Sequence, residues 1–262
     1  MPRILTYNVH RCVGPDKKLD VKRVADAIAQ QEPDIVALQE LDVGRQRTGN
    51  VDQAHEIAED LDMTFHFHAA MKVEEELYGD AILTCYPERL VQAAPLPAYG
   101  RMSIIEPRGA LWVAVDVGGA TWVQIINTHL GLIPREQQAQ AKALAGPSWV
   151  QHPLCTGPKI LLGDFNATAA SVVYRCLTRE LTDARQLAPR PRQPTSTFPS
   201  RMPVLRIDHV FVSKDIAITA AFAPYDALTR SASDHLPLVI DFETVAASTR
   251  GSGLEPAASE RI

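Results

Sequence analysis

The 262-residue sequence is poor in cysteine and has no long apolar run. Its four cysteines include no CxxC pair, so we expect free thiols in a reducing compartment rather than a disulfide framework or a structural zinc site. No stretch approaches about 18 uncharged apolar residues, the length that a transmembrane helix needs. The opening segment MPRILTYNVH lacks the apolar region and cleavage site of a secretory signal. We therefore expect a cytoplasmic protein, monomeric and without an integral membrane segment.

The sequence also lacks a surplus of positive charge. Lys and Arg together number 26 and Asp and Glu 31, which gives a net charge of −5. Proteins that bind nucleic acid tightly and non-specifically usually carry a basic surplus. A nucleic-acid partner is therefore disfavoured, although scattered arginines in the loop 185–201 leave it open; these are Arg185, Arg190, Arg192 and Arg201.

Aromatic residues are scarce as well, at 6% of the chain. We identify no exposed aromatic or aliphatic hairpin in the sequence, which argues against action on an intact bilayer. Two catalytic signatures are absent: the glycine-rich loop of P-loop nucleotide-binding proteins and the G-x-S-x-G turn of serine hydrolases.

Apolar periodicity predicts a single mixed domain in which sheets dominate. Helices are expected over 19–31, 53–61 and 134–145, and strands over 4–9, 34–38, 65–71, 81–84, 110–117, 121–128, 159–162, 206–213, 216–221 and 236–242. The Pro- and Arg-rich stretch 184–203 is expected to be a loop. No composition break divides the chain, so we predict one domain over 1–243 and a flexible tail over 244–262.

Polar side chains follow the apolar runs of this pattern. They are Asn8, Glu40, His129, Asp164 with Asn166, and Asp208, while Asp234 and His235 precede the last run. Because unpaired charge is costly to bury, polar residues at the ends of so many apolar runs are unexpected by chance. We therefore expect these side chains to converge on a site at one end of a sheet. Carboxylate oxygens are the ligands that Mg²⁺ and Mn²⁺ prefer, and a histidine near an aspartate suits acid–base chemistry. The combination favours metal-assisted hydrolysis of a phosphoester.

The motifs resemble those of the endonuclease/exonuclease/phosphatase superfamily. In chain order they are TYN at 6–8, LQE at 38–40, NTH at 127–129, GDFN at 163–166, RIDH at 206–209 and SDHLPL at 233–238. The resemblance spans nearly the whole chain. It implies the α/β (α+β) class and a four-layer α/β sandwich like that of DNase I. In that fold two mostly antiparallel sheets lie face to face, helices lie outside, and the site is at one end.

The resemblance also implies roles for individual residues. Glu40 would be the principal ligand of Mg²⁺ or Mn²⁺, with Asn8 beside it and Asp234 completing the carboxylate cluster. His235, oriented by Asp208, would act on the scissile phosphate as an acid–base group. The residues implied to position or activate the attacking water are Asp164 and Asn166. His129 matches the second histidine of the DNase I and sphingomyelinase branches, and His209 is expected to point away from the site, on the other face of its strand.

The substrate is less well determined by the sequence. The inositol-polyphosphate 5-phosphatase branch is disfavoured because the segment VLRIDHVF lacks the tryptophan of that branch's motif. Four residues are predicted to contact a phosphate or an anionic headgroup: Arg11, Arg45, Tyr78 and Arg108. The segment 41–55 also has the character of a specificity loop.

Three functions are consistent with this pattern. The first is a metal-dependent hydrolase of a small or lipid-derived phosphodiester. The second is a Mg²⁺-dependent DNA endonuclease or exonuclease, which the negative net charge and His129 disfavour. The third, a non-catalytic binding domain, is disfavoured by the intact set of acid, amide and histidine residues.

Overall fold

The computed structural model describes residues 1–73, 76–98, 106–119, 121–189 and 193–245. Within these ranges the chain forms two six-stranded sheets. The strands of the first sheet are β1 (Arg3–Asn8), β2 (Ile35–Val43), β3 (Thr64–Val73), β4 (Glu76–Thr84), β11 (Ile216–Phe222) and β12 (Leu238–Thr244). Those of the second are β5 (Glu88–Pro95), β6 (Gly109–Asp116), β7 (Trp122–His129), β8 (Lys159–Asp164), β9 (Thr182–Asp183) and β10 (Asp208–Val212).

The helices are α1 (Val21–Ala29), α2 (Gln53–Asp60), α3 (Pro134–Leu144), α4 (Val172–Leu177), α5 (Ala184–Leu187) and α6 (Thr229–Ala232). The first four cover the outer faces of the sheets, whereas α5 contacts β10 and β11 and adds Ala184 to the core between them. One apolar core lies between the sheets, with Ile35 and Leu111 among its members. A second packs α1 and α2 against the first sheet, and a third packs α3 and α4 against the second sheet. The predicted four-layer α/β sandwich is therefore confirmed.

Each sheet contains one parallel pair of strands. The strand orders are β11-β12-β1-β2-β4-β3 and β5-β6-β7-β8-β10-β9, and the parallel pairs are β1 with β2 and β7 with β8. In register, Asn8 lies opposite Gln39 and His129 lies opposite Asp164. Parallel neighbours end at the same sheet edge, so two pairs of polar residues are placed side by side at the carboxyl ends of these strands.

Several elements were not predicted from the sequence; besides the short β9, α5 and α6, they include β5 and α4. β5 is an edge strand whose register shifts between Leu90 and Gln92, which breaks the alternation that marks a strand. α4 has six residues, too few to display a helical period. The stretch expected to be a loop contains α5 and a bridge between Phe198 and Leu205.

The boundaries of the domain stay a prediction, because most of the expected tail, 246–262, lies outside the described residues. All four cysteines are free thiols, as expected. In the described ranges, no helix combines the length and the apolar character that crossing a membrane requires.

Candidate active site

Asn8 joins the two sheets at the end of the sandwich. Its Nδ2 donates to Glu40 Oε1 at 3.1 Å, within the first sheet, and to Asp164 Oδ2 at 3.0 Å, in the second. Its Oδ1 accepts from the backbone N–H of His10 at 3.0 Å. The residues predicted at strand ends therefore do converge, and a neutral amide separates two carboxylates that would otherwise repel each other.

The backbone around Glu40 is unusual. β2 carries a bulge between Leu38 and Leu41, and Glu40 within it has φ +62°. A non-glycine residue in this left-handed region is strained, and such strain persists where surrounding contacts hold it. The Glu40 side chain keeps 20% of its surface exposed, so its carboxylate faces the open end of the sandwich.

His235 and Asp208 form a buried hydrogen-bonded pair. His235 Nδ1 lies 2.9 Å from Asp208 Oδ2, which also accepts from the Thr197 hydroxyl. His235 Nε2 points towards Asp164 Oδ2, 3.8 Å away. Burial alone would lower the pKa of His235, but the Asp208 carboxylate overcomes burial and raises that pKa to about 10. The imidazolium form is thus favoured at neutral pH, and its Nε2 proton is available to an oxygen in front of Asp164.

Asp164 ends β8 and is buried. Its Oδ1 accepts from the Asn166 backbone N–H at 2.8 Å. Burial, followed by the charge of Asp208, raises the pKa of Asp164. The preceding Gly163 has φ +138°, and a Cβ there would lie 1.8 Å from the Thr128 carbonyl oxygen. Only glycine permits this approach of β8 to β7, which explains the glycine of the GDFN motif.

His129 has a different environment from His235. Its Nδ1 lies 2.9 Å from Nη1 of the buried Arg108. Its Nε2 lies 3.0 Å from Asn166 Nδ2 and 3.4 Å from Asp164 Oδ2. A guanidinium can only donate, so Nδ1 must accept and the proton of the neutral ring is assigned to Nε2. That N–H points to Asp164 Oδ2, whereas the Asn166 amide nitrogen, itself only a donor, donates to the Leu130 carbonyl oxygen. Burial and the Arg108 charge lower the pKa of His129 well below its ordinary value, which keeps the ring neutral.

His10 belongs to the same neighbourhood, although the sequence predicted no role for it beyond its place directly after Asn8. His10 Nδ1 lies 3.5 Å from Asp234 Oδ1, and its Nε2 lies 2.7 Å from Arg11 Nη2. His10, Arg11 and Cys12 have three successive positive φ angles, 45°, 57° and 57°. Their position directly after Asn8 was the available signal, but left-handed backbone at non-glycine residues is not readable from sequence.

Three further buried polar residues had no role predicted from the sequence. Gln39 Nε2 donates to Asn127 Oδ1 at 2.7 Å, and Asn127 Nδ2 donates to the carbonyls of Leu38 and Ala81, both at 2.9 Å. These bonds hold the two sheets together directly beneath the site. Gln39 and Asn127 belong to the LQE and NTH motifs, so their positions could have identified them. The third residue is Asp80, whose pKa burial raises to about 7 despite the opposing charge of Arg108.

The four predicted substrate contacts fall in different environments. Arg108 is buried against His129, and Arg11 contacts His10. Tyr78 is buried beneath the Arg47 guanidinium. Arg45 lies in an ion-pair network, 3.3 Å from Glu76 and 3.9 Å from the buried Asp42.

Residues outside the site also have definite places. Arg185 and Arg201 of the arginine-containing loop are exposed, while Arg190 and Arg192 lie outside the described residues. His209 packs against Phe165 on the other face of its strand, with Nε2 2.8 Å from the Ala167 carbonyl oxygen.

The donors suit a divalent cation that prefers oxygen ligands. Ligand atoms of Asp164, Asp208 and His235 lie within 4.8 Å of one another, which makes this trio one candidate set. Two of its members already hydrogen-bond to each other, and Asp208 Oδ2 holds a second bond from Thr197. The second candidate set is the one predicted from the sequence, Asn8, Glu40 and Asp234, in which the more exposed carboxylates of Glu40 and Asp234 lie beside Asn8 and His10, respectively.

Comparisons with known proteins identify the family of the chain. The model of the Endonuclease/Exonuclease/phosphatase family matches residues 5–235. The uncharacterised protein YbhP of Escherichia coli is 27% identical over 252 residues, which covers 90% of this chain and 94% of YbhP.

Solved structures share the fold at low sequence identity. A mannosyl-6-phosphatase from Bacteroides thetaiotaomicron superposes with a TM-score of 0.74 at 18% identity, covering 93% of this chain and all (100%) of that one. The human Nocturnin catalytic domain, solved with bound sulfate, gives a TM-score of 0.65 at 23% identity, covering 93% of this chain and 94% of that one.

Proposed function

The chain belongs to the endonuclease/exonuclease/phosphatase family, whose members are hydrolases acting on phosphoester bonds, and from this premise we propose that it is a metal-dependent phosphodiesterase. Its substrate is a small or lipid-derived phosphodiester. The observation that carries the proposal is the His235–Asp208 pair. In this pair His235 Nε2 faces Asp164, next to the contact between Asn8 and Glu40. A proton donor, a proton acceptor and a cluster of oxygen ligands thus face one space.

Glu40 and Asp234 would hold the cation, Mg²⁺ or Mn²⁺, with Asn8 beside them, where its Nδ2 orients the Glu40 carboxylate. When bound, it supplies positive charge to the phosphate oxygens and so favours the pentavalent transition state. Glu40 and Asp234 are preferred over Asp164 and Asp208 because their carboxylates are more exposed and are not occupied by the hydrogen bonds of the His235 pair.

The protein's own side chains carry the protons. Asp164 and Asn166 position a water molecule, and Asp164 accepts its proton as the water oxygen attacks phosphorus. Burial raises the pKa of Asp164, which makes its carboxylate a stronger base than an exposed aspartate. As the phosphorus–oxygen bond to the leaving group breaks, His235 gives its Nε2 proton to that oxygen. His129, neutral and protonated on Nε2, donates a hydrogen bond to a non-bridging phosphate oxygen.

A hydrolysis screen tests the proposal. Bis-p-nitrophenyl phosphate, p-nitrophenylphosphorylcholine, p-nitrophenyl phosphate and plasmid DNA are each incubated with Mg²⁺, with Mn²⁺ and with EDTA. We expect turnover of the diesters that is lost in EDTA and in His235→Gln. The monoester is included because one protein of the same fold is a mannosyl-6-phosphatase.

Two results would redirect the assignment. Preferential turnover of p-nitrophenyl phosphate would make the protein a phosphomonoesterase. Efficient cutting of DNA with little turnover of small diesters would make it a nuclease. Cytoplasmic location and a monomeric state stay predictions.

A further inference from the structure

A hairpin-like segment, Phe198 to Leu205, is attached at its base to the candidate active site. The two end residues pair with each other. The Phe198 ring lies 4.9 Å from the His235 ring, and the Ser200 backbone N–H donates to the Asp234 carbonyl oxygen at 2.7 Å. The far end of this segment therefore projects from a base that is held against the His235 pair.

The outer part of the hairpin is apolar and open to solvent. Met202 is 66% exposed, Val204 63% and Leu205 42%. Large apolar side chains are seldom left in water in such a group unless they contact something. Of the fourteen exposed large apolar side chains in the described part of the chain, seven lie in loops at this end of the sandwich, namely Leu19, Leu132, Ile133, Met202, Val204, Leu205 and Tyr225. Three of these seven belong to the hairpin itself, so the hairpin forms the densest group among them.

Positive charge lies directly beside the hairpin. Arg201 and Arg230 line an open cavity of about 410 Å³. The Arg230 guanidinium lies 5.0 Å from the centre of the Tyr225 ring, and the Tyr225 hydroxyl donates to the Arg201 carbonyl oxygen at 2.9 Å. Within the described residues neither guanidinium forms an ion pair, and Asp16, which also lines the cavity, pairs with Arg23.

We infer that the hairpin and this cavity dock the protein on an anionic phospholipid surface. Met202, Val204 and Leu205 enter the apolar layer, while Arg201 and Arg230 bind phosphate headgroups. Exposed aliphatic side chains next to unpaired arginines match a surface with an apolar interior and an anionic face. Double-stranded DNA offers the negative charge but no apolar layer. The exposed aliphatic hairpin corrects the expectation from the sequence that none is present; it was not recognisable there because it is formed by the bridge between Phe198 and Leu205.

The identity of the substrate as a phospholipid rests on the proposed function, whereas docking does not require turnover. The net charge of −5 opposes attraction of the whole protein to an anionic surface. Binding would therefore come from the local surface around the hairpin and not from overall charge.

Vesicle flotation tests the inference. The full chain is mixed with vesicles of phosphatidylcholine alone or with about one-third phosphatidylglycerol, the anionic component. We expect binding to the anionic vesicles only, weakened about tenfold or more in Met202→Ser with Val204→Ser. Arg201→Gln and Arg230→Gln should each weaken it about fivefold and reduce its sensitivity to salt. The matched control is Leu154→Ser with Leu187→Ser, exposed apolar residues in loop 145–158 and on α5, which should leave binding unchanged.

Hydrolysis of bis-p-nitrophenyl phosphate is measured on the same variants and should be unchanged, since none of them lies in the catalytic set. If the wild type does not hydrolyse bis-p-nitrophenyl phosphate but still binds the vesicles, the proposed function is overturned and the docking inference stands. No vesicle binding by the wild type, or equal binding by the hairpin variant, would overturn the inference. So would self-association that the hairpin substitutions abolish, which would make the hairpin a contact between copies. Duplex-DNA binding that depends on the arginines but not on Met202 would reassign the surface to nucleic acid.

Discussion

Arg108 Nη1 lies 2.9 Å from Nδ1 of His129. In the other histidine of the site, His235, the partner of Nδ1 is the carboxylate of Asp208 instead of a guanidinium. The pKa values of the two rings are therefore shifted in opposite directions. The pKa of His129 is lowered by burial and the guanidinium, while the pKa of His235 is raised to about 10 by its aspartate against the effect of burial. One histidine is suited to donate a hydrogen bond as a neutral ring, and the other to donate a proton.

Replacement of Arg108 tests whether it positions His129 or contacts substrate. In Arg108→Gln the constraint on the His129 tautomer is lost, and we expect kcat for bis-p-nitrophenyl phosphate to fall about 10- to 100-fold with little change in KM. Arg185→Gln, at an exposed arginine, is the control and should have no effect. A rise in KM with kcat preserved would instead identify Arg108 as a substrate contact.

Removal of the acid–base pair should abolish most turnover. His235→Gln is expected to lower kcat by about 10²- to 10⁴-fold, because the leaving oxygen loses its proton donor. Asp208→Asn should have a smaller effect, and the double variant should be no worse than His235→Gln, since the two residues act as a unit. Far-ultraviolet circular dichroism checks that the fold is kept. Near-normal rates in His235→Gln would contradict the mechanism.

The His235–Asp208 pair should make stability depend on pH. The pKa of His235 is about 10 in the folded protein, above its ordinary value near 6.5. The folded state therefore holds the proton more tightly, so the stabilisation is fully present below about pH 6.5 and is lost as the pH rises towards 10. We measure Tm in EDTA at several pH values. The difference in Tm between wild type and His235→Gln should become smaller between about pH 6.5 and pH 10, by about 2–4 °C for each kcal/mol of stabilisation that is lost. A difference that is constant with pH would argue against a charged pair.

The choice between the two candidate metal sets can be tested by calorimetry with Mn²⁺. Glu40→Gln should weaken Mn²⁺ binding at least about tenfold and lower activity with it, because a charged ligand is replaced by a neutral one. Glu56→Gln, at an exposed glutamate in α2, should change neither. Unchanged Mn²⁺ affinity in Glu40→Gln, together with loss in Asp208→Asn, would assign the metal to Asp164, Asp208 and His235.

Gly163 should tolerate no side chain. In Gly163→Ala the new methyl group meets the Thr128 carbonyl oxygen, and β8 cannot keep its place beside β7. We expect a loss of several kcal/mol in unfolding free energy, or failure to fold. Gly118→Ala is the control: its φ is +97° with no atom within 4 Å of the new carbon, so only backbone strain of about 1–3 kcal/mol is expected. Equal effects in urea denaturation would contradict this account of the GDFN glycine.

Much of the fold was predictable because local patterns repeat. The strands β1, β7 and β8 and the helices α1 and α3 have apolar spacing strong enough to mark them in isolation, and Asp20 and Pro134 mark the starts of those helices. Edge strand β5 and the short helix α4 were missed because their stability comes from neighbours along the sheet and beneath the helix.

The sequence by itself determined which chemical groups are present and that they follow the strands. The set from Asn8 to His235 was identified that way, because polar residues after apolar runs are a property of chain order. Only the tertiary structure decided which groups meet. It placed Arg108 on His129 and His10 on Asp234, and left Met202 and Val204 exposed beside unpaired arginines. Protonation, tautomer and exposure depend on neighbours far away in sequence, since burial and charge act through space and not along the chain.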